Sequence, residues 1–447
     1  MSHVNTKLLL LVLFACVGLS TSGCGRDSGV VGSRTFALTP PPAVPLAGNA
    51  RADDGTVRML EKRVERDPDD FAALNRLANY YLQHARETGS AEYLDLATRA
   101  ASRSLASVPE IRNAGGLAAL TQAKFAAHEF TAARDHAIRL TELDPAKTYP
   151  YGLLCDALIE LGDYDEAARV LTRMEGVKRG INEASETRHA RLSFLHGDVA
   201  GARRHLNNAL ALALDLPVPQ REAVAWYRWQ LGEIAFAVGD YQTAEQHYRD
   251  ALTTFPDYYR ALAGLGRASA AQGNTAEAIE HFEHVVRLLP DPAFVATLGD
   301  LYKLTGREKD ATAQYALVEQ IALLNKANGV LYNRQLALFY ANHNLKAAEA
   351  YASAVSEYQI RHDVYGADAL AWAALKAGKV SEAQAAMREA LRLGTQDAAL
   401  LYHAGMIARA AGDKSGAREY LSRALALNPQ FDVVQAPVAL QALEDLT

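Results

Sequence analysis

The sequence has few of the residues and motifs from which catalytic or redox sites are built. Only three of its 447 residues are cysteine, and no CxxC pair occurs, so neither a zinc ribbon nor a thioredoxin-type site is supported. The GxxxxGK[ST] phosphate loop, the GxGxxG turn, the HExxH zinc motif and the GxSxG nucleophile elbow are all missing. We therefore expect a protein that is not an enzyme and that uses no cofactor and no metal.

An excess of positive charge is also missing. The chain has 46 Lys and Arg against 52 Asp and Glu, which gives a formal net charge of -6 at pH 7. An acidic balance provides no general attraction to the phosphates of nucleic acid. The composition therefore predicts no nucleic acid among the partners, and an ordinary hydrophobic content of 49% predicts a folded chain.

The most conspicuous hydrophobic run lies at the N-terminus. Lys7 precedes an unbroken apolar stretch at 8–19, and small residues at 20–23 lead to Cys24. A basic start, a short apolar core and a small-residue site are the order of a secretory signal, and this run is too short to span a bilayer comfortably. Residues 1–23 are therefore predicted to be a signal peptide.

The small residues before Cys24 resemble the processing site of bacterial lipoproteins. In that family the cysteine carries the lipid and becomes the mature N-terminus. The resemblance implies lipid attachment at Cys24 and an exported, membrane-anchored protein of the cell envelope, facing the periplasm or the cell surface. The family usually has leucine three residues before the cysteine, where this chain has Thr21. Conventional secretion, an uncleaved anchor and no export at all are the alternatives.

Residues 24–56 show no hydrophobic periodicity. They include Pro40, Pro41, Pro42 and Pro45 among several Gly, Ser and Asp residues. Because proline fixes φ and removes a hydrogen-bond donor, this composition predicts a flexible or extended tether between the anchor and the folded part.

The rest of the chain repeats with a period near 34 residues. Candidate turn residues recur at His128, Gly162, Gly197, Gly239, Gly273, Gly306, His343, Gly378 and Gly412. An alanine follows each of them by five positions, at Ala133, Ala167, Ala202, Ala244, Ala278, Ala311, Ala348, Ala383 and Ala417. Small residues in a first helix, this alanine, an aromatic residue and a closing proline at this period resemble the tetratricopeptide repeat family.

The resemblance implies an all-α fold, a right-handed α-solenoid of about ten helix pairs over residues 57–429. Residues 430–447 are expected to form either a C-terminal capping helix or a tail. Longer gaps between turns predict extra loop residues near 216–219 and near 325–329. His343 stands where the other repeats mostly have glycine, which leaves the register of that repeat open.

In this family the first helix of each pair lines a concave groove. The family's groove positions fall here on the residues Trp226, Trp229, Trp372, Tyr149, Tyr365, Tyr402, Arg260 and Arg267. Large aromatic side chains often anchor protein interfaces, so these residues are predicted to bind a partner. The alternative is that the aromatic residues pack between neighbouring repeats.

The sequence therefore predicts a non-catalytic exported scaffold that binds proteins or peptides in its groove and is attached to the membrane through an N-terminal lipid. A second hypothesis is an accessory subunit of a cell-envelope polysaccharide or secretion machine, in which exposed aromatic rings would contact glycans. The set of Lys, Asn and Arg with which some members of the family bind a C-terminal carboxylate is not found in successive repeats.

Overall fold

A computed structural model describes residues 54–178, 182–327 and 334–446. The predicted signal peptide, Cys24 and almost all of the predicted tether lie outside these residues. The first helix begins at Asp54. The last three residues assigned to the tether, 54–56, therefore form the first turn of a helix instead.

All regular structure in the described ranges is helical. A short 3₁₀ turn at Glu110–Arg112 separates the third and fourth helices. The α-helices, in chain order, are α1 (Asp54–Arg66), α2 (Phe71–Thr88), α3 (Ala91–Ser107), α4 (Ala114–Ala126), α5 (Phe130–Leu143), α6 (Tyr149–Leu161), α7 (Tyr164–Val177), α8 (Glu183–Leu195), α9 (Val199–Leu214), α10 (Arg221–Ala237), α11 (Tyr241–Thr254), α12 (Tyr259–Ala271), α13 (Thr275–Leu288), α14 (Pro292–Leu304), α15 (Glu308–Ala327), α16 (Arg334–Asn342), α17 (Ala347–Tyr358), α18 (Val364–Lys376), α19 (Val380–Ala390), α20 (Ala398–Ala410), α21 (Lys414–Leu427) and α22 (Gln435–Glu444). The predicted all-α class is confirmed.

Successive helices pack as ten pairs, from α2 with α3 to α20 with α21. Each pair also packs against the next one along the chain, as α3 does against α4 and α11 against α12. Helix α1 lies against α2 at one end, and α22 lies against α20 and α21 at the other. The hydrophobic core is therefore a row of clusters along the chain, and the expected solenoid of about ten pairs is confirmed.

Small residues allow the two helices of a pair to approach closely. Eight of the nine predicted alanines are at most 1% exposed. Gly232 and Gly264 flank the ring of Tyr248 from two successive first helices, and a Cβ on either would lie 2.5 or 2.6 Å from a ring carbon. Because only a hydrogen atom fits there, these glycines set the spacing between the helices.

The repeat turns use the left-handed backbone region. His128 has a φ of 64°, and the glycines at the predicted turns have φ values between 75° and 88°. Glycine adopts these values without steric cost, which explains its recurrence.

The repeat that contains His343 departs from the pattern. Asn344 and Lys346 have positive φ there, and the helix after the turn begins later than predicted. Ala348 is consequently exposed, and Ala350 is the buried alanine of this pair. The alanine prediction is wrong at this one position, because the left-handed turn residue is Asn344 instead of His343 and one additional residue follows it before the helix begins.

The two longer gaps have different structural origins. Residues 216–219 lie in the connection between α9 and α10, where the loop was predicted. The expected loop near 325–329 is wrong in its first part, because α15 continues to Ala327 and is 20 residues long. By comparison, α13 has 14 residues. The additional residues therefore lengthen a helix at that point.

Segments about 200 residues apart in sequence meet along one edge of the solenoid. Leu161, Leu195 and Phe236 lie at the C-terminal ends of α6, α8 and α10. Their carbonyl oxygens accept hydrogen bonds from the amide of His362 (3.0 Å), Oγ1 of Thr395 (2.5 Å) and Nδ2 of Asn428 (2.7 Å), in that order. The last carbonyl groups of a helix have no hydrogen-bond donor within the helix, and these contacts supply one to each of them. We call this set of contacts the seam.

The seam joins three repeats to the repeats that lie five pairs further along the chain. The three acceptors end the first helices of the pairs α6–α7, α8–α9 and α10–α11. The three donors follow the last helices of the pairs α16–α17, α18–α19 and α20–α21. The solenoid therefore winds far enough for one superhelical turn to contact the next.

Gly162 provides a test of the seam. Its φ is 88°, and a Cβ at this position would lie 2.4 Å from the carbonyl oxygen of His362 on the other side. Gly162→Ala should therefore cost about 1–2 kcal/mol for the left-handed backbone, plus about 1–3 kcal/mol for the steric conflict across the seam. Urea unfolding would measure the loss, and small-angle X-ray scattering should show a larger radius of gyration.

Gly412→Ala is the matched control for this substitution. Gly412 has a φ of 81°, and a Cβ there would meet no atom within 4 Å. This variant should show only the backbone cost and an unchanged radius of gyration. Equal destabilisation by the two variants, with the same scattering curve, would mean that the seam is not formed in solution.

Candidate binding surface

The first helices of the pairs present a row of charged side chains on the inner side of the solenoid. Asp156, Arg191, Glu233, Arg267 and Asp300 occupy equivalent positions on α6, α8, α10, α12 and α14, and their charges alternate in sign. We call these five residues the charge ladder. Arg267 forms an ion pair with Glu233 and is the most accessible cation of the ladder, with 36% of its side chain exposed.

Two of the predicted groove aromatics belong to the core. Trp372 is 1% exposed, its ring stacks on His403 at 4.2 Å, and its Nε1 donates to Asn342 (2.8 Å). Tyr402 is 3% exposed and packs against Phe431 at 5.5 Å. For these two residues the groove prediction is wrong and the packing alternative holds, because neighbouring repeats cover both rings.

Trp229 is covered by one of the predicted groove cations. The guanidinium of Arg260 lies 5.1 Å from the ring centroid of Trp229 and 5.0 Å from that of Tyr259, so it is wedged between two helices. A cation above an aromatic face is attracted by the ring quadrupole. Trp229 and Arg260 therefore stabilise the junction of α10 with α12, and little of Trp229 is left for a partner.

The two half-buried tyrosines are also engaged within the protein. The hydroxyl of Tyr149 donates to Asp144 (2.5 Å). Arg191 lies over the ring of Tyr365, 6.0 Å from its centroid, although the two residues belong to different superhelical turns. Tyr365 thus contributes to the contact between turns, and a role for either tyrosine in binding stays a prediction.

Trp226 has a different environment, because it borders a cavity. The cavity has a volume of about 60 Å³ and lies between the first helices α4, α6, α8 and α10, with α9 behind them. Its lining residues are Phe125, Asp156, Ile159, Glu160, Thr187, Arg188, Ala190, Arg191, Phe194, Leu206, Trp226, Gln230, Glu233 and Ile234. The sequence analysis placed Trp226 in the groove but gave no sign that a cavity would form beside it.

A buried salt-bridge network lies close to the cavity and crosses the seam. Arg361, which follows α17, binds Glu160 of α6 (2.7 Å) and Glu357 (3.1 Å). Arg334 binds Glu357 (2.8 Å) and Asp363 (2.6 Å). No more than 17% of any of these five side chains is exposed. We call these residues the seam network.

The charges of the seam network favour the ionised form of Asp363. Burial alone would raise the pKa of Asp363, but the charges of Arg334 and Arg361 outweigh this effect and hold that pKa below its ordinary value. A carboxylate with a depressed pKa stabilises the fold above its unfolded-state pKa of about 3.9 and loses this effect as the pH falls through the folded-state value. The Asp363 carboxylate is therefore ionised at neutral pH and available to both arginines.

The described residues offer no assembly that resembles a metal or redox centre. No group of three or more His, Cys, Asp or Glu within 54–178, 182–327 and 334–446 could hold a metal ion. Cys155 is buried at the junction of α6 with α7, and burial raises the pKa of its thiol to about 12. Among the described helices, none is both long and apolar enough to cross a bilayer.

The fold and the inner surface define a helical-repeat solenoid that presents side chains of successive first helices on one face. Four models of the tetratricopeptide repeat match the sequence, at residues 149–173, 183–257, 235–301 and 369–430. The chain belongs to the tetratricopeptide repeat family. Folds of this family are in general scaffolds that bind other proteins or peptides on an extended concave surface.

Solved structures of similar fold have low sequence identity. The human IFIT1 dimer with PPP-AAAA is 15% identical, with 84% of this chain and 95% of that chain covered and a TM-score of 0.44. The Cut9–Hcn1 heterotetramer of the APC/C is 13% identical, with coverages of 87% and 92% and a TM-score of 0.34. Pseudomonas aeruginosa pilF is 16% identical, with coverages of 66% and 98% and a TM-score of 0.31. No curated protein matched the sequence.

Arg361 allows the seam network to be tested. Arg361→Met leaves Glu160 without its closest cation in a buried site, so the variant should lose about 3–5 kcal/mol of unfolding free energy at pH 7. Arg423→Met removes an exposed partner of Glu419 and should change stability by no more than about 0.5 kcal/mol. Urea unfolding of the two variants beside the parent measures both values. Similar small losses for both would show that Arg361 is exposed in solution.

Proposed function

We propose that this protein is an exported scaffold, anchored in a membrane through a lipid on Cys24, that holds a protein or peptide segment against the inner surface of its solenoid. The observation that best supports binding is the combination of the charge ladder with the adjoining cavity. Together they offer both polar and apolar contacts on one face, as protein interfaces commonly do.

The architecture suits a rigid binding surface. Most groups on the inner side are already held by partners, as Arg267 is by Glu233 and Asp300 is by the hydroxyl of Tyr315 (2.6 Å). Side chains that are fixed before binding lose little conformational entropy when a partner arrives. The seam adds further contacts between superhelical turns. We therefore propose recognition with little rearrangement of the scaffold.

The polysaccharide alternative has less support. Stacking on a sugar requires an accessible aromatic face, and the three tryptophans are at most 7% exposed. Arg260 covers Trp229, and His403 covers one face of Trp372. A protein or peptide partner is therefore the better candidate.

The lipid anchor can be tested at the N-terminus. Mass spectrometry of the protein from native membranes should give an N-terminal peptide that begins at Cys24 and carries acyl chains. Cys24→Ser should remove the lipid and release the protein from the membrane fraction. A peptide that begins at Met1, or an unmodified Cys24, would refute the anchor and leave the repeat scaffold unaffected.

The inner surface can be tested by neutralising two cations of the charge ladder. Arg191→Gln with Arg267→Gln should greatly reduce chemical crosslinking to partner proteins in intact cells, because both cations lie on the inner side. Circular dichroism should be unchanged, since Arg361 still pairs with Glu160. Quantitative mass spectrometry of the crosslinked complexes provides the measurement.

Arg169→Gln with Arg173→Gln is the matched control. Both arginines are 62% exposed and lie on α7, a second helix of its pair. This variant should retain every partner that the parent protein captures. Equal crosslinking by the inner-surface variant, or an equal loss in the control, would contradict a partner on the inner surface.

A further inference from the structure

We propose that the outward side of α1 lies on the membrane surface and binds anionic lipid headgroups through four basic side chains. This inference rests on the lipid anchor of the proposed function, and it specifies which part of the protein faces the membrane.

Helix α1 has sides of different chemistry. Leu60 and Val64 are buried on the side that packs against α2. The acidic residues Asp54, Glu61 and Glu65 lie together on one flank of the helix, because successive residues are about 100° apart around its axis. The side that faces away from α2 is therefore left without a carboxylate of α1.

This outward side is basic. Six residues fall within an arc of about 140° there, at 3.6 residues per turn. They are Gly55, Arg58, Met59, Lys62, Arg63 and Arg66. We call the four cations among them the basic stripe.

The basic stripe is exposed and mostly unpaired. All four cations are exposed, and 56% of the neighbouring Met59 is accessible. Arg63 forms an ion pair with Asp70, whereas the other three cations form none within the residues that the structure describes. Unpaired cations beside an exposed apolar side chain are the groups with which interfacial helices contact anionic lipids.

The net charge of the chain changes sign beside this helix. Residues 24–66 contain 7 Lys and Arg against 5 Asp and Glu, a net charge of +2. Residues 67–447 contain 38 Lys and Arg against 47 Asp and Glu, a net charge of -9. An anionic surface therefore attracts the part around α1 and repels the rest of the solenoid, which orients the protein with α1 toward the membrane.

The position of α1 in the chain favours a membrane over other anionic partners. The proposed lipid site, Cys24, precedes Asp54 by 30 residues, so the start of the helix lies within about 100 Å of the bilayer. The anchor thereby keeps the basic stripe at a high effective concentration near the headgroups, and a weak contact is sufficient. A dissolved acidic protein has no such advantage.

The test uses the protein purified from native membranes and reconstituted into vesicles. Met59→Cys provides a site on α1 for an environment-sensitive fluorophore. Cys155 should stay unlabelled because it is buried and the pKa of its thiol is raised to about 12. Emission should shift to shorter wavelength with vesicles of phosphatidylcholine that contain about one third phosphatidylglycerol, but not with phosphatidylcholine alone. Salt at about 0.5 M should reverse the shift, because it screens the contact.

Neutralising the stripe in the labelled protein should abolish the shift. Arg58→Gln with Lys62→Gln and Arg66→Gln should weaken the contact on the order of 100-fold, because each basic residue near an anionic surface strengthens binding about fivefold. Urea unfolding should be nearly unchanged, since all three side chains are exposed.

Arg169→Gln with Arg173→Gln and Arg204→Gln is the matched control. These three exposed cations lie on α7 and α9, so their removal lowers the net charge by the same amount away from α1. The control should keep the full shift in emission.

Flotation with phosphatidylcholine vesicles reports the lipid anchor separately from the stripe. Protein that floats with both kinds of vesicle but shows no shift would overturn the inference and leave the anchor intact. A shift that persists in the stripe variant, or that the control loses equally, would also overturn it. Protein that does not float with phosphatidylcholine, yet gives a stripe-dependent shift with phosphatidylglycerol, would refute the anchor and support the contact of α1.

Discussion

The close approach of helices at small side chains is the constraint on which the rest of this structure depends. One helix pair cannot bury its apolar face alone, so each pair must lie against the next. Alanine at the pair junction and glycine opposite Tyr248 permit this spacing, because a larger side chain would meet the facing helix. Regular spacing gives a regular superhelix. The superhelix in turn places the end of α6 beside the connection that precedes α18.

The seam adds a stabilising contribution that nearest-neighbour stacking does not include. Solenoid stability is usually close to a sum over adjacent repeats. Here donors that lie about 200 residues further along the chain form hydrogen bonds to the carbonyl oxygens at the ends of α6, α8 and α10. The seam network places buried ion pairs in the same region. Removal of one partner of a buried pair lowers the free energy of unfolding by more than the intact pair contributes to it. We therefore expect the superhelical turns to be energetically coupled, and local changes at Gly162 or Arg361 to affect the shape of the whole solenoid.

Residues at the predicted groove positions have two different roles, packing between repeats and binding of a partner, which the sequence analysis did not distinguish. Trp229 and Trp372 hold neighbouring repeats together, and a cation covers each of them, Arg260 in one case and Lys376 in the other. The binding surface that we propose is therefore the charge ladder with the adjoining cavity. An aromatic residue at a groove position can therefore stabilise the packing of repeats instead of contacting a partner, and its neighbours decide which of these it does.

The sequence by itself determined the helical class, the number of pairs and most of the turns, because these features depend on contacts within about 34 residues. A glycine with positive φ and an alanine five positions later are local requirements, and they failed only in the repeat of His343, where the turn residue is Asn344 and one additional residue lengthens the turn. Only the tertiary structure decided the seam, the cavity and the covering of Trp372. These features join residues that are distant in sequence, such as Glu160 and Arg361, and no local spacing encodes how far a superhelix must wind before its turns touch.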